Sequence, residues 1–424
     1  MNSRLSYDVV VIGAGTAGLV AATRLAQSGA SVCVLAKGIG STHLAPATID
    51  VLGYAPDLVS APLDGIAALT AARPDHPYGL IGTEALTAGL DWFSTTAAAG
   101  PYPGYGYVGG LQRNMLFPTA LGALRPSALV PETMAAGERS GLTRVCVVGT
   151  PSLRDFHPSL CAANLEAAGI EARPVSVELE LERADMSTLG IARHLEDERW
   201  RAQFCARVSP MLRAEEHVGL PAMLGITDPH VVLTDLEQRF GRRVFEIPTL
   251  PPSVPGMRLY EILRSALRAA GGRLALGAEV VSHERDGDRV TSVNTHAAGH
   301  DHTYAADWFV LASGGFASGG IELDSHWLTH ERVLGLPLAG VPGPGEARFV
   351  SDYLSDQPMA RVGVAIDADL HAHGVANVLV AGAALPGAEP WREGSGEGLA
   401  LSSGYRAAQV IEAAAGAQRT EVLT

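Results

Sequence analysis

Residues 7–18 read Y-D-V-V-V-I-G-A-G-T-A-G. Tyr7 to Ile12 is a β-rich, apolar run, the pattern of a strand buried on both faces of a parallel sheet. Gly13, Gly15 and Gly18 follow in G-x-G-x-x-G spacing, directly after that strand and at the opening of a helix-like segment, 16–28. The first glycine allows the tight turn. The second lets the backbone approach a phosphate, and the third lets helix and strand pack closely. The helix terminus adds free N–H donors and about half a positive charge. Leu19, Ala22, Leu25 and Ala26 share one helix face, Gly29 caps the end, and Val32 to Leu35 is a second apolar strand. The segment predicts a β-α-β unit and an α/β fold. The alternative is a tight strand–helix turn with no ligand.

The whole chain fits that reading. It has 424 residues, 47% of them hydrophobic and 18% charged, enough for about two to three domains and a sizeable core. Its 48 glycines suit tight turns and close backbone approach to a ligand. The net charge of −14 argues against nucleic-acid binding and obliges an anionic substrate to find a local cluster of Arg and Lys. Cys33, Cys146, Cys161 and Cys205 include no C-x-x-C pair. They are expected to be reduced, buried thiols of a cytoplasmic protein, with no metal or iron–sulfur site in this chain. No apolar run reaches 18 residues, so no transmembrane helix is expected. The N-terminus runs straight into a strand rather than forming a signal peptide.

Further along, 101–110 (P-Y-P-G-Y-G-Y-V-G-G) reads as loop or turn, 144–180 as strand–helix–strand, and 187–218 as helices. A Pro-rich break covers 248–256. Met257 to Ala270 is an amphipathic helix, followed by two strand-like runs, 273–283 and 289–295, joined at Asp286-Gly287-Asp288. The chain closes with a Gly-rich turn at 394–398 and a helix from about Leu399 to Ala414.

One expected feature is missing. An acid about twenty residues beyond the glycines usually grips a ribose hydroxyl. Here the strand ends Leu35-Ala36-Lys37, and no Asp or Glu occurs between Asp8 and Asp50. Either the ribose is held otherwise, or the ligand is a mononucleotide with its single phosphate on the helix.

Three distant segments resemble flavoproteins of the two-dinucleotide-binding type: the helix and hairpin at 257–295, D-W-F-V-L-A-S-G-G at 307–315, and N-V-L-V-A-G-A at 377–383 followed by E-G-S-G-E-G-L at 393–399. The resemblance implies a Rossmann-like flavin domain made of residues 1–50 and 257–424, with an inserted second domain at 51–256. It implies cofactor contacts at Gly13, Gly15, Thr16, Ala17 and Gly18. It adds Ala36, Lys37 and Val280 beside Glu279, then Ser313, Gly314, Gly382 and Ala383, and Gly396, Gly398 and Leu399. In that family an Asp stands at the position of Ala383 and touches the ribityl chain, so Ala383 is a departure. The helix at Leu399 would aim its N-terminus at the flavin.

Residues 37–54 (K-G-I-G-S-T-H-L-A-P-A-T-I-D-V-L-G-Y), 147–158 (V-V-G-T-P-S-L-R-D-F-H-P) and 391–404 (W-R-E-G-S-G-E-G-L-A-L-S-S-G) resemble the B subunit of the anaerobic respiratory glycerol-3-phosphate dehydrogenase. That resemblance implies FMN, with FAD as the alternative. It implies a heterodimeric catalytic A/B pair and a membrane-bound iron–sulfur subunit, which would hold the chain at the inner face of the membrane. It implies oxidation of sn-glycerol 3-phosphate to dihydroxyacetone phosphate, with electrons passing to quinone. Two alternatives stand beside it: a non-catalytic electron relay or scaffold in that complex, and another flavin oxidoreductase of the fumarate-reductase or hydroxy-acid type.

Oxidising a secondary alcohol needs a base for the hydroxyl proton and cations for the phosphate. His43 and Asp50 follow the second strand, with His43 suited to the base role and Asp50 open to a capping role. Arg392, just before the last glycine turn, is the preferred contact for phosphate or flavin anion. Arg154, with Asp155 and His157, is a weaker phosphate clamp, with an ion pair as its alternative reading. His326, His330 and Arg332 read as a solvated polar face rather than a metal site.

Overall fold

The computed structural model describes residues 3–179, 185–297 and 300–422. The apolar run at the N-terminus becomes the strand Ser3–Ile12, at the centre of a seven-stranded sheet. Across the sheet the order is Arg273–Leu276, Val32–Ala36, Ser3–Ile12, His300–Leu311, Arg289–Ala297 and Glu279–Asp286. Val9 pairs with Val32 on one side and with Trp308 on the other, both in parallel register. The long strand His300–Leu311 changes partner on its outer edge. Its first half pairs antiparallel with Arg289–Ala297, and its last residues, Phe309 to Leu311, pair parallel with Val378–Val380.

The first helix, Thr16–Gln27, is almost wholly buried. It lies between the sheet, the helix Val254–Ala269 and the C-terminal helix Gly396–Val422. Alanines and glycines along Thr16–Gln27 let these helices come close. A Cβ on Gly404 would fall 2.3 Å from the Ala17 carbonyl oxygen, so only glycine fits there.

Two features differ from the sequence reading. The run 273–283 is two strands, not one. Gly277, at φ +77°, turns the chain so that Arg273–Leu276 adds to the Val32–Ala36 edge, while Glu279–Asp286 crosses to the opposite edge. The expected boundary at residue 51 also moves. Ile66, Leu86, Leu90 and Phe93, on the helices Pro62–Ala72 and Thr83–Ala98, are buried in the same core as the central sheet. A separate core runs only from Leu142 to Val254. It covers a four-stranded parallel sheet ordered Val244–Ile247, His217–Pro221, Arg144–Gly149 and Glu171–Ser176. The strand–helix–strand expected at 144–180 is present, with its helix at Pro158–Ala167. Of the segment 187–218, Thr188–Leu195 and Glu198–Val208 are helical. The expected loop at 101–110 contains one short strand, Tyr107–Gly109. All four cysteines are free and buried, and burial pushes the Cys161 thiol up to about 12.

Candidate functional site

The glycine tip is built as its spacing demands. Gly13 sits at φ +120°, and a Cβ there would fall 2.2 Å from the Ala312 carbonyl oxygen. At Gly18 a Cβ would fall 2.0 Å from the Gly13 carbonyl oxygen. Both glycines are forced by backbone approach. Gly15 is different: a Cβ there would meet nothing within 4 Å. Gly15 caps the helix without a side-chain hydrogen bond, and no acidic residue stands in the first turn. That terminus therefore offers its donors and partial positive charge to an anion.

Other segments close on this tip. Gly382, at φ +73°, approaches Ala17 so that its Cβ would lie 2.9 Å from the Ala17 Cβ. Its N–H donates to Ser403 Oγ at 2.8 Å. Gly315 approaches the Ala383 carbonyl oxygen, which a Cβ would meet at 2.7 Å. Ser313 lies beside Gly314 (φ +81°), and its hydroxyl is buried with no partner in the chain. From the segment after the second strand, Thr42 brings its hydroxyl to 3.3 Å from that of Thr16. The 3-10 turn Thr42–Leu44 is seated on the helix Val254–Ala269, where a Cβ on Gly256 would lie 2.4 Å from the Thr42 carbonyl oxygen. His43, in that turn, keeps a buried Nδ1 with no partner.

Asp50 is buried beside the start of the C-terminal helix. Its carbonyl accepts from the Gly398 N–H at 3.0 Å. Its Oδ2 pairs with Arg125 at 2.9 Å, while Oδ1 has no partner. Glu397, in the first turn of that helix, lies against the Thr16 hydroxyl. Burial, offset in part by Thr16 and reinforced by the Asp50 charge, raises its carboxyl to about 7. Gly396, Gly398 and Leu399 lie in the same turn.

Beside the end of the second strand stands a carboxylate from another strand. The Ala278 N–H donates to the Ala36 carbonyl at 3.0 Å, which sets Glu279 and Val280 beside the end of the second strand. Lys37 Nζ pairs with Glu279 at 3.2 Å. A carboxylate thus stands next to Ala36 and Lys37, although it lies in a different strand.

The remaining expected residues fall outside this cluster. Arg392 pairs with Asp356 at 2.9 Å and stacks on its neighbour Trp391. The adjacent Glu393 points into the protein instead, to Arg73, His76 and Ser395. Arg154 is exposed and pairs with Asp185 at 3.7 Å. Asp155 and His157 stand with it at the start of the helix Pro158–Ala167, which belongs to the second core. His326 and His330 belong to a hairpin rather than a helix, and His330 pairs with Asp324 at 3.2 Å. No group of three metal-ligating side chains occurs among the described residues. Glu397, Thr42, Arg125 and Glu279 as a carboxylate were not singled out from sequence. A single Glu among glycines carries no periodicity that separates a turn residue from a site residue.

A strand–tip–helix cradle with buried, unclaimed polar atoms around it fits a flavin whose anionic group sits on Thr16–Gly18. The fold and site define an FAD-dependent class of flavoprotein, and residues 8–399 match the family model described as FAD binding domain. The chain is 30% identical to the B subunit of anaerobic glycerol-3-phosphate dehydrogenase from Vibrio cholerae serotype O1, over 99% of this chain and 100% of the relative. Its counterpart in Pectobacterium carotovorum subsp. carotovorum is also 30% identical, over 96% of this chain and 99% of the relative. This chain belongs to the family of B subunits of anaerobic glycerol-3-phosphate dehydrogenase. Among solved structures, Mycobacterium smegmatis Sdh1 in complex with UQ1 aligns with 99% of this chain and 72% of its own, at 12% identity and a TM-score of 0.45. The cofactor is a flavin, and the one named for the domain is FAD, the second of the two expected from sequence.

Proposed function

We propose that this chain is the flavin-bearing B subunit of a complex that oxidises sn-glycerol 3-phosphate to dihydroxyacetone phosphate. Electrons would leave through an iron–sulfur partner toward quinone. The observation that carries the proposal is the full-length relationship to the B-subunit family, together with the unclaimed polar groups gathered at the tip. The cofactor we propose is FAD, because Glu279 provides the carboxylate that the second strand lacks. A bound flavin supplies the hydride acceptor. The chain supplies the rest. The Thr16–Gly18 amides and the Thr16 hydroxyl hold the phosphate. His43, through its unpartnered Nδ1, takes the substrate hydroxyl proton. Asp50, paired with Arg125, stands beside the start of the C-terminal helix on the substrate side of this reading.

One observation favours a second reading, in which this chain relays electrons and its catalytic partner in the A/B pair oxidises the alcohol. Arg73, Arg125 and Arg392 are each paired with a carboxylate: Glu393, Asp50 and Asp356. A substrate phosphate would have to displace one of them. An anaerobic titration decides between the readings. The flavin is first released from purified protein by denaturation and identified by mass, with FAD expected. Glycerol 3-phosphate is then added to the intact chain with and without the catalytic partner. Bleaching of the flavin absorbance by the chain alone supports catalysis here, bleaching only with the partner present supports the relay, and protein without flavin overturns both.

A further inference from the structure

Glu397 is a buried carboxyl with no cation among the described residues to pair it, beside the helix terminus where an anion would sit. It sits in the first turn of the C-terminal helix, against the hydroxyl of Thr16, the first residue of the phosphate-binding helix. Its Oε2 is buried and has no partner. Asp50 stands beside it from the segment after the second strand, 7% exposed, with Oδ1 also unpartnered.

The other groups around Glu397 do not neutralise it. Tyr107, from the short strand Tyr107–Gly109, feels its charge. Thr42 lies behind Thr16. Tyr78, from the helix Pro77–Ile81, spends its hydroxyl on the Val51 carbonyl. Arg125 is held by Asp50, and Arg258, on the helix Val254–Ala269, by Glu246. Glu393, three residues before the turn of Glu397, is held by Arg73 and His76. Among the described residues no cation pairs with Glu397.

We propose that Glu397 is a proton-linked positioning residue for the cofactor: the flavin phosphate seats on the Thr16 helix terminus when Glu397 carries its proton. The proposal rests on the reading that the cofactor's anionic group occupies that terminus. An ionised carboxylate there would repel the phosphate across a partly desolvated gap. Protonated, the same carboxyl is neutral and donates a hydrogen bond to a phosphate oxygen. Flavin capture therefore takes up one proton above the pH at which the free site ionises. The position of that ionisation, near neutrality, makes the linkage measurable under ordinary conditions.

The test uses the full chain stripped of flavin and titrated by flavin fluorescence across neutral pH. FAD is the principal probe because its diphosphate does not titrate in this range. Riboflavin, which lacks phosphate, is the control. The expected result is an FAD Kd that rises about tenfold per pH unit above about pH 7. The riboflavin Kd stays flat, and so does the FAD Kd of Glu397→Gln. Asp50→Asn, which removes the neighbouring like charge, should move the break to lower pH. It also serves if the Gln variant does not fold. The proposal is overturned if Glu397→Gln keeps the wild-type slope, or if riboflavin shows the same slope as FAD. Failure to bind any flavin at any pH overturns the underlying cofactor reading instead.

Discussion

Glu393 gathers Arg73, His76 Nε2 at 3.2 Å and Ser395 Oγ at 2.9 Å on one buried carboxylate, while its carbonyl accepts from the Gly53 and Tyr54 amides. Burial alone would raise this carboxyl. The hydrogen bonds and charge of His76 and Arg73 outweigh it and bring the group down to about 2, from an ordinary 4.5. A folded-state value below the unfolded one contributes stability that is fully present above about pH 4.5 and is lost as the pH falls toward 2. Glu393→Gln should therefore cost about 3 kcal/mol near neutrality and flatten the acid limb of stability against pH. Urea melts near pH 7 and near pH 3 check both effects. Glu279 makes a second residue-scale prediction. Glu279→Ala should weaken FAD binding about tenfold through loss of a charged hydrogen bond and leave FMN binding unchanged; equal losses for both would place Glu279 away from the ribose. Here the limit of sequence reading is plain. The absence of an acid after Leu35 was legible, but the carboxylate we propose in its place, Glu279, lies 242 residues from Lys37, and only strand pairing brings the two together. Arg392 shows the converse: its charge was legible, and the Asp356 that neutralises it was not.

The helix Val254–Ala269 belongs to both cores. Leu259, Ile262 and Leu263 pack under the central sheet, whereas Val254 packs with the second core. Arg258 spans the two. It is fully buried, donates to Glu246 at 2.7 Å and to the Gly225 carbonyl at 2.6 Å, and faces the Tyr105 ring. Glu246 in turn accepts from the Leu224 N–H. Arg258→Met should destabilise by about 3–5 kcal/mol because it leaves a buried carboxylate without its cation. Adding Glu246→Leu should recover most of that loss. Chemical denaturation of the single and double variants checks this, and a single variant as stable as the parent would mean the pair does not join the cores. The first strand begins at Ser3, four residues before the expected Tyr7, whereas other elements with a strong local period were readable within a residue or two: Thr16–Gln27, Val32–Ala36 and Arg144–Gly149. Positions where one residue redirects the chain were not, Gly277 foremost. The helix Thr83–Ala98 carries an apolar face of Leu86, Leu90 and Phe93, but periodicity does not say which of two cores such a face joins.

On the scale of the whole molecule, an acidic chain of net charge −14 carries two exposed aromatic pairs. Trp327, Phe349, Tyr353, Leu354 and Trp391 are all more than half exposed, and ring contacts join Trp327 to Phe349 and Tyr353 to Trp391. Exposed aromatic pairs of this kind are what a member of a complex covers. Replacing Tyr353 and Leu354, 81% and 72% exposed, by Glu should weaken co-purification with a partner subunit at least tenfold while the flavin content stays as in the parent. Unchanged association would place the interface elsewhere. No helix among the described residues is long and apolar enough to cross a membrane. The tip that opens the chain is completed by Ala312 against Gly13, by Gly382 against Ala17 and by Gly404 against the Ala17 carbonyl. A nascent polypeptide leaving the ribosome therefore carries the G-x-G-x-x-G motif through most of its synthesis with no finished receptor around it. Flavin loading should follow translation, and a chain truncated before the last helix should purify colourless.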